Sequence, residues 1–600
     1  MKLPVYFITG LLLSIAVSVK LPEKPLLKNQ QLVAYIKNEA ALFATKAMTL
    51  QTSLENISSD SSSIVRARTA LKICRLQYKK ISFFLEYFYP SEAQVYNGPP
   101  KYEVEEPYME YQEPKGLQVI EGLLYEKNPD KPALIEQAHL ITSSATDIPS
   151  LFYRFSATDA QLMESIRLEF IRIMTLYITG YDAPLLKSGV EEAEQVLDVI
   201  RIILNPYIEN KEGDSIRYYL AGARDYVNRN SAFDSFDRLH FLTAYALPLQ
   251  TSLNIFCKQN DIFLTTANTL NPTATDLFKP NAFNKNAFSN VYDDTSEALI
   301  NLGKTLFFDK TLSGNNSRSC ASCHSPVNYF TDGISRNKTF NGQTQLTRNT
   351  PTLLYSIYQY SQFWDGRAAS LEAQVHDVMN NKQEMNASDT VICNKLMQNK
   401  RYQEQFNQLW HKADNAITIN QVSIALSAYV RNLTPFLSPF DKYMEGDSNA
   451  LSKAQQNGFN IFMGKAQCGT CHFAPLFNGL TPPLYNKTEY EILGTTSDDN
   501  FSHPVPDTDK GRYNFFPIRF YKGAFKTPTV RNAAVTAPYM HNGKFKSLKT
   551  LIDFYDKGGG AGMSLKITNQ TLSQIPLHLT DKEKEDLISF IGSLTDKHAF

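Results

Sequence analysis

The chain is 600 residues long, 43% hydrophobic and 20% charged, and its 60 Lys+Arg are balanced by 60 Asp+Glu. At roughly 150 residues per domain it holds about three to four domains, and its apolar content is too high for a disordered chain. Zero formal net charge argues against nucleic-acid binding, which needs a basic excess to neutralise phosphates, and seven cysteines are too few for a disulfide scaffold.

In chain order, the first element reads as an export signal. Lys2 precedes a run, residues 3–19, that is apolar or small apart from Thr9, Ser14 and Ser18; Lys20, Leu21, Pro22 and Glu23 then restore polar composition. The run has the length of a signal h-region and is short for a helix that must cross ~30 Å of hydrocarbon. Residues 1–20 are therefore read as a signal peptide, and no later stretch reaches the ~18 consecutive apolar residues of a membrane span. The expectation is an exported, periplasmic protein that is not integral to the membrane.

Residues 25–270 are expected to form a helical bundle. Leu162, Ile166, Phe170 and Met174 recur at steps of four, one stripe of a helix. Residues 190–203 and 238–256 behave similarly, Pro- and Gly-bearing loops near residues 90–107 and 205–213 punctuate the region, and no strand alternation persists. His139 and His240 have no partner at ligand spacing and read as packing or surface residues. Gly116-Leu117-Gln118-Val119-Ile120-Glu121 resembles the GxHxxE signature of imelysin-like helical domains, but Gln118 replaces the histidine, which puts that signature's metal site in doubt. Residues 271–294, rich in Asn, Thr, Pro and Ala, read as a linker or wrapping segment.

Two CxxCH motifs carry the chemistry: Cys320-Ala321-Ser322-Cys323-His324 and Cys468-Gly469-Thr470-Cys471-His472. Two thiols one helical turn apart can add across the two vinyl groups of one haem, and the adjacent His then sits beneath the iron as proximal ligand. With this Cys and His usage one such motif is expected by chance at roughly 0.001 per chain, and two at about its square. A redox CxxC, or four Cys on one zinc ion, would leave the two matching histidines unexplained. The motifs imply two covalently bound c-type haems, and the 148 residues from His324 to His472 give each its own small helical domain. Cys74, Cys257 and Cys393 lie in apolar helical contexts and read as buried thiols.

Further motifs surround these two. They are Leu302-Gly303-Lys304-Thr305-Leu306-Phe307-Phe308-Asp309 with Leu312-Ser313-Gly314, then Arg348-Asn349-Thr350-Pro351-Thr352 and Gln362-Phe363-Trp364-Asp365-Gly366-Arg367. Phe525-Lys526-Thr527-Pro528-Thr529-Val530-Arg531-Asn532 and Pro538-Tyr539-Met540-His541-Asn542-Gly543 follow. Together they resemble the bacterial dihaem cytochrome c peroxidase family, which includes MauG, over about half of the chain. The fold this implies is all-α: an N-terminal helical bundle, a first cytochrome c domain at 285–440 with the peroxidatic haem on His324, and a second at 441–600 with the electron-transfer haem on His472.

Carried over by position, the resemblance makes Trp364 the relay between the haems. Gln374 and Glu384, ten and twenty positions after Trp364, become the distal-pocket pair. Heterolytic O–O cleavage needs a base that takes a proton from peroxide and returns it to the departing oxygen, which suits Glu384; Gln374 can orient the peroxide. His376, two residues on, reads as structural. In peroxidases that need reductive activation a second His caps the first iron, but no His occurs between His324 and His376, and the loop 332–342 offers Ser, Arg, Asn, Lys, Thr and Phe instead. A Met fourteen residues after the PYxH histidine is the usual sixth ligand of the second haem. Here that position is Tyr555, as in MauG, with Met540 and Met563 as fallback ligands. The family also binds calcium between its haem domains, and the matching positions are Asn349, Thr536 and Pro538.

The implied activity is that of a cytochrome-c peroxidase: hydrogen peroxide is reduced to water with electrons from a small cytochrome or another exported redox protein. A MauG-type oxidase acting on a protein or organic substrate is the alternative, which Tyr555 and the missing capping His favour. A non-enzymatic dihaem electron-transfer cytochrome is the third, and Gln374 and Glu384 argue against it.

Overall fold

In a computed structural model, which describes residues 26–58, 60–105, 110–264, 269–288, 296–410, 416–567 and 569–597, the periodic segments of the first half become a stack of helices. The expected signal peptide lies outside the described residues. The stripe of Leu162, Ile166, Phe170 and Met174 is buried, with the first three on the helix Asp159–Arg172. Thr158 caps that helix reciprocally with Gln161, satisfying donors that the first turn would otherwise leave open. The helix Ser61–Phe88 runs through the middle of the stack and packs on Leu26–Glu55, Gly189–Leu204 and Asp159–Arg172.

Two departures from the expected bundle have local causes. Residues 238–256 are not one helix but Arg238–Phe241, a π turn Leu242–Ala246, and Leu247–Gln259. Pro248 has no N–H to return to the preceding turn, and the wider turn absorbs that defect. A short hairpin, Glu103–Glu105 paired with Glu110–Gln112, also stands where no strand was expected. Three residues per strand are too few for a period of two to emerge from the sequence.

The segment after the helices packs against both halves rather than hanging free. Leu277, Ala282 and Phe283 are buried, the Leu277 N–H donates to Gln250 Oε1 at 2.9 Å, and the Phe283 ring meets Tyr485 at 5.0 Å. The second half consists of short helices joined by long, hydrogen-bonded loops, with one further strand pair, Tyr490–Glu491 on Phe525–Lys526. Its helices approach closely where glycine allows. A Cβ on Gly303, in Glu297–Phe308, would lie 1.9 Å from the carbonyl oxygen of Ala425 in Ile419–Arg431. The molecule is thus mostly helical, and among the described residues no helix is long and apolar enough to cross a membrane.

Candidate active site

Both CxxCH motifs fold into the same device. Cys320–Ser322 and Cys468–Thr470 each form one tight turn, and the His324 and His472 N–H groups each donate to the carbonyl of the first cysteine, Cys320 or Cys468, at 2.9 Å. The imidazole is then fixed from behind. His324 Nδ1 lies 3.0 Å from the Phe330 carbonyl and His472 Nδ1 lies 3.0 Å from the Pro528 carbonyl. A carbonyl can only accept, so Nδ1 carries the hydrogen; burial pushes both imidazoles below their ordinary range, to about 4 for His472, so each ring is neutral and its Nε2 carries no proton.

The thiols fit covalent attachment and not the two alternatives. All are unpaired. Burial pushes Cys320 and Cys468 up to about 12 and Cys323 to about 11, and raises Cys471 as well, the opposite of a nucleophilic redox cysteine. Nor do they converge on one ion: among the described residues no group of three or more His, Cys, Asp or Glu is placed to hold a metal. Each of the six motif side chains keeps some accessible surface although desolvation dominates its ionisation. At each motif two thiols and one neutral imidazole lie within five positions on one tight turn, the donor set that a c-type haem takes.

Around the first motif the charged residues gather. Gln374 sits on the helix Leu371–Asn380, which Ser370 caps, and Glu384 lies in the turn just beyond, where Asn381 Nδ2 donates to its carboxylate at 3.0 Å. Burial raises the Glu384 carboxyl above its ordinary range, with Arg367 opposing, and Glu384, Asp332 and Arg318 all act on the Cys323 thiol. The Leu312-Ser313-Gly314 motif explains itself here. Gly314 donates to Met385 O at 2.9 Å, and a Cβ on it would come within 2.3 Å of Asn386 O, so only glycine lets this loop support the Glu384 turn. The loop 332–342 closes the same side through Phe340 N–H to Gln383 O at 2.7 Å and Thr350 Oγ1 to Asp332 Oδ2 at 2.7 Å. His376 instead bonds Asp389 at 3.1 Å, consistent with a structural residue.

A hydrogen-bonded chain links the motifs between the two sites. Trp364 Nε1 donates to Asn349 O at 2.9 Å, the Asn349 N–H to His541 O at 2.7 Å, and the Lys526 N–H to Trp364 O at 2.8 Å. His541 is buried and stacked on Phe525 at 3.7 Å, with its Nε2 3.6 Å from Asp507 and no hydrogen bond. Of the three residues matched to calcium, Asn349 spends its amide on Ile334 O and Ser335 O, and the Thr536 hydroxyl bonds Asn532 O, while Pro538 opens the loop that holds His541.

The second motif faces different neighbours. Tyr555, on Leu548–Asp556, has its phenol raised by burial and then by the Cys471 and Cys468 thiols of the second motif. The helical half covers this site: Lys101 donates to Glu489 and, at 3.0 Å, to Glu491. All three act on Cys471.

The half of the chain that carries these residues is similar to known proteins. Residues 297–449 match the family model described as di-haem cytochrome c peroxidase. Cytochrome-c peroxidase IdrP1 of Pseudomonas sp. (strain SCT) is 35% identical over 319 residues, covering 50% of this chain and 81% of its own. The chain belongs to the di-haem cytochrome c peroxidase family. Methylamine utilization protein MauG of Methylorubrum extorquens is 33% identical over 300 residues, 49% of this chain and 77% of that one, so both branches of the family are similar to it. A crystal structure of a MauG-like protein associated with microbial copper homeostasis covers 50% of this chain and 90% of its own at 29% identity, with a TM-score of 0.44. Two c-type haems and peroxidase-type oxidoreductase chemistry come with the family.

Sequence reasoning passed over Arg318 and Arg367. Arg367 stood inside the quoted Gln362–Arg367 motif, but its action on Glu384 crosses seventeen positions and leaves no local signature. The imelysin-like motif turns out to be structural in its contacts. Gln118 Nε2 donates to Asn97 O at 3.1 Å, and Glu121 Oε1 accepts the N–H groups of Leu185 and Leu186 at 2.7 and 2.6 Å.

Proposed function

We propose that this family member reduces hydrogen peroxide to water, drawing electrons through the second site to the first. The observation that carries the reading is the Glu384 carboxyl, desolvated beside the first motif, held by Asn381 and stabilised by the Arg367 charge. The haems, when bound, supply the iron that binds peroxide and the electrons that reduce it. Glu384, kept from being strongly acidic by burial, takes the proton from the proximal peroxide oxygen and gives it to the departing one. Gln374, on the helix that leads into this turn, orients the peroxide through its amide. Trp364, hydrogen-bonded into the chain from Asn349 to His541, lies on the route between the sites. His472 and Tyr555 are the ligands proposed for the second iron, and His324 for the first. The donor is a small cytochrome or another exported redox protein, and the protein works in the periplasm.

A MauG-type oxidase is the second reading, favoured by Tyr555 beside Cys468 and Cys471. An anionic phenolate stabilises oxidised iron where a thioether would not. The deciding measurement is the absorption spectrum of the fully oxidised holoprotein before and after one equivalent of hydrogen peroxide. A Soret change without prior reduction supports peroxide chemistry at an open first site. A response only after one-electron reduction marks a peroxidase with a capping ligand, and silence in both states leaves an electron carrier.

A further inference from the structure

The helical half does more than cover the second site. The π turn Ile173–Tyr177 and the residues after it are laid directly on the second haem-attachment loop. Gln467 Nε2 donates to Pro184 O at 3.2 Å, and a Cβ on Gly469 would meet Thr179 Cγ2 at 3.4 Å. Phe473, the residue after His472, meets the Tyr181 ring edge-on at 5.6 Å. On another side His472 faces Phe462 at 6.5 Å, backed by Phe477 and Phe590, rings with no proton to lose and therefore poor resting places for an oxidising equivalent.

One turn before Tyr181 stands Tyr177, fully enclosed, whose hydroxyl donates to Glu169 Oε1 at 2.7 Å. A phenol loses an electron easily only if its proton has somewhere to go, and Glu169 is that base. The surroundings favour added positive charge. Glu121, Glu169, Asp182 and Glu192, with the half-buried Glu86, form one network, and among the described residues the cations that the ion pairs and charges bring to it are Arg75, Lys79 and Arg172. Lys79 lies 3.7 Å from the centre of the Tyr177 ring and opposes this, but it is neutralised by Asp182 and, at 3.6 Å, by Glu192. Tyr78, a neighbouring buried phenol, has no hydrogen-bond partner and so nowhere to put its proton.

We infer that Tyr181 and Tyr177 connect the second site electronically to the helical half, with Tyr177 as a redox-active residue and Glu169 as its proton acceptor. The step balances. Peroxide takes two electrons, which the haems supply when no external donor is present, and two protons from solvent to become two waters; Tyr177 then returns one of those electrons to the haem side through the Tyr181–Phe473 contact. Its O–H bond breaks, the proton moves to Glu169, and a neutral phenoxyl radical remains. Reduction by the donor returns the electron and draws the proton back.

The inference rests on the peroxide reading, so both are read from one sample. Oxidised holoprotein is frozen at intervals after one equivalent of hydrogen peroxide, and its Soret band and EPR spectrum are recorded with natural and ring-deuterated tyrosine. The expected result is a Soret change followed by an organic radical whose EPR line narrows on deuteration. The radical is lost in Tyr177→Phe and in Tyr181→Phe, and retained in Tyr78→Phe, while the resting Soret band, which reports folding and haem attachment, stays unchanged in all three. A Soret change with no tyrosine radical, or one that survives both Tyr177→Phe and Tyr181→Phe, overturns the relay alone. No Soret change in either redox state overturns the peroxide reading and the relay with it.

Discussion

The two halves of the molecule bury polar groups to opposite ends. In the helical half most buried charges are matched inside the protein: Arg75 with Glu192 at 2.8 Å, Lys79 with Asp182, Arg172 with Glu86 and Glu169. In the dihaem half the half-buried motif histidines and cysteines are not matched by charged partners in this way. His324 and His472 each set Nδ1 against a backbone carbonyl, and the four thiols form no disulfide. The difference teaches how to tell a structural polar cluster from a ligand site. A cluster that satisfies its own donors and acceptors is finished; one whose members share a direction of unmet valence is waiting for a partner.

The largest test of that contrast is Glu384→Gln. The change keeps the shape and the Asn381 contact but removes the proton acceptor. Peroxide turnover is expected to fall by about 10²–10⁴-fold, with the resting spectrum and the melting curve unchanged. A fall in turnover accompanied by equal loss of haem or stability would instead mark Glu384 as structural, and the contrast between halves would fail at its most important residue.

Tyr555→Met sharpens the comparison at the second site. Exchanging a phenol for a thioether beside Cys468 and Cys471 should raise the potential of one haem by on the order of 0.1 V and leave the other in place, since axial ligands tune haem potentials over about 0.8 V. Spectroelectrochemical titration of both haems reads this directly. Equal small shifts in both potentials would mean Tyr555 is packing and another residue is the ligand.

What could be read from the sequence was what chemistry confines to neighbouring residues. Covalent attachment of one haem needs two thiols and a histidine within five positions, so Cys320–His324 and Cys468–His472 were plain. The helix stripe through Leu162 and Phe170 was equally local. Gln374 and Glu384 were reached by their spacing from Trp364, and the structure sets both close after Ser370 on one helix and its following turn. Pairings across the chain were not legible. Lys101 meets Glu489 388 positions away, and the Tyr181–Phe473 contact joins the two halves; no periodicity encodes either. The Gly116–Glu121 motif was visible but its meaning was not, because whether Glu121 binds an ion or caps backbone N–H groups depends on residues 185 and 186.

That glutamate offers the smallest and most specific test, in the half where buried charge is structural. Burial pushes the Glu121 carboxyl up to about 7, with Arg75 and the Leu185 and Leu186 amides pulling it down and Glu192 adding to the rise. A carboxyl raised in the folded state binds its proton more tightly there than when unfolded. Its effect on stability is therefore most favourable below about 4.5 and declines as pH rises toward about 7. Glu192, held down to about 2 chiefly by Arg75 and Lys79 against its burial, acts in a separate window, losing its contribution only below about 4.5. Glu121→Gln keeps an oxygen for the two amides and cannot titrate. Between about pH 5 and 7 the wild type should lose on the order of 1 kcal/mol of local stability that the variant keeps, read as slower hydrogen exchange in the variant's helix Leu117–Leu124 at the upper pH after correction for intrinsic rates. Haem spectra and peroxide turnover should not move. A parallel pH slope in both proteins would show that Glu121 titrates normally, and that the helical half carries less unmatched charge than its ion pairs imply.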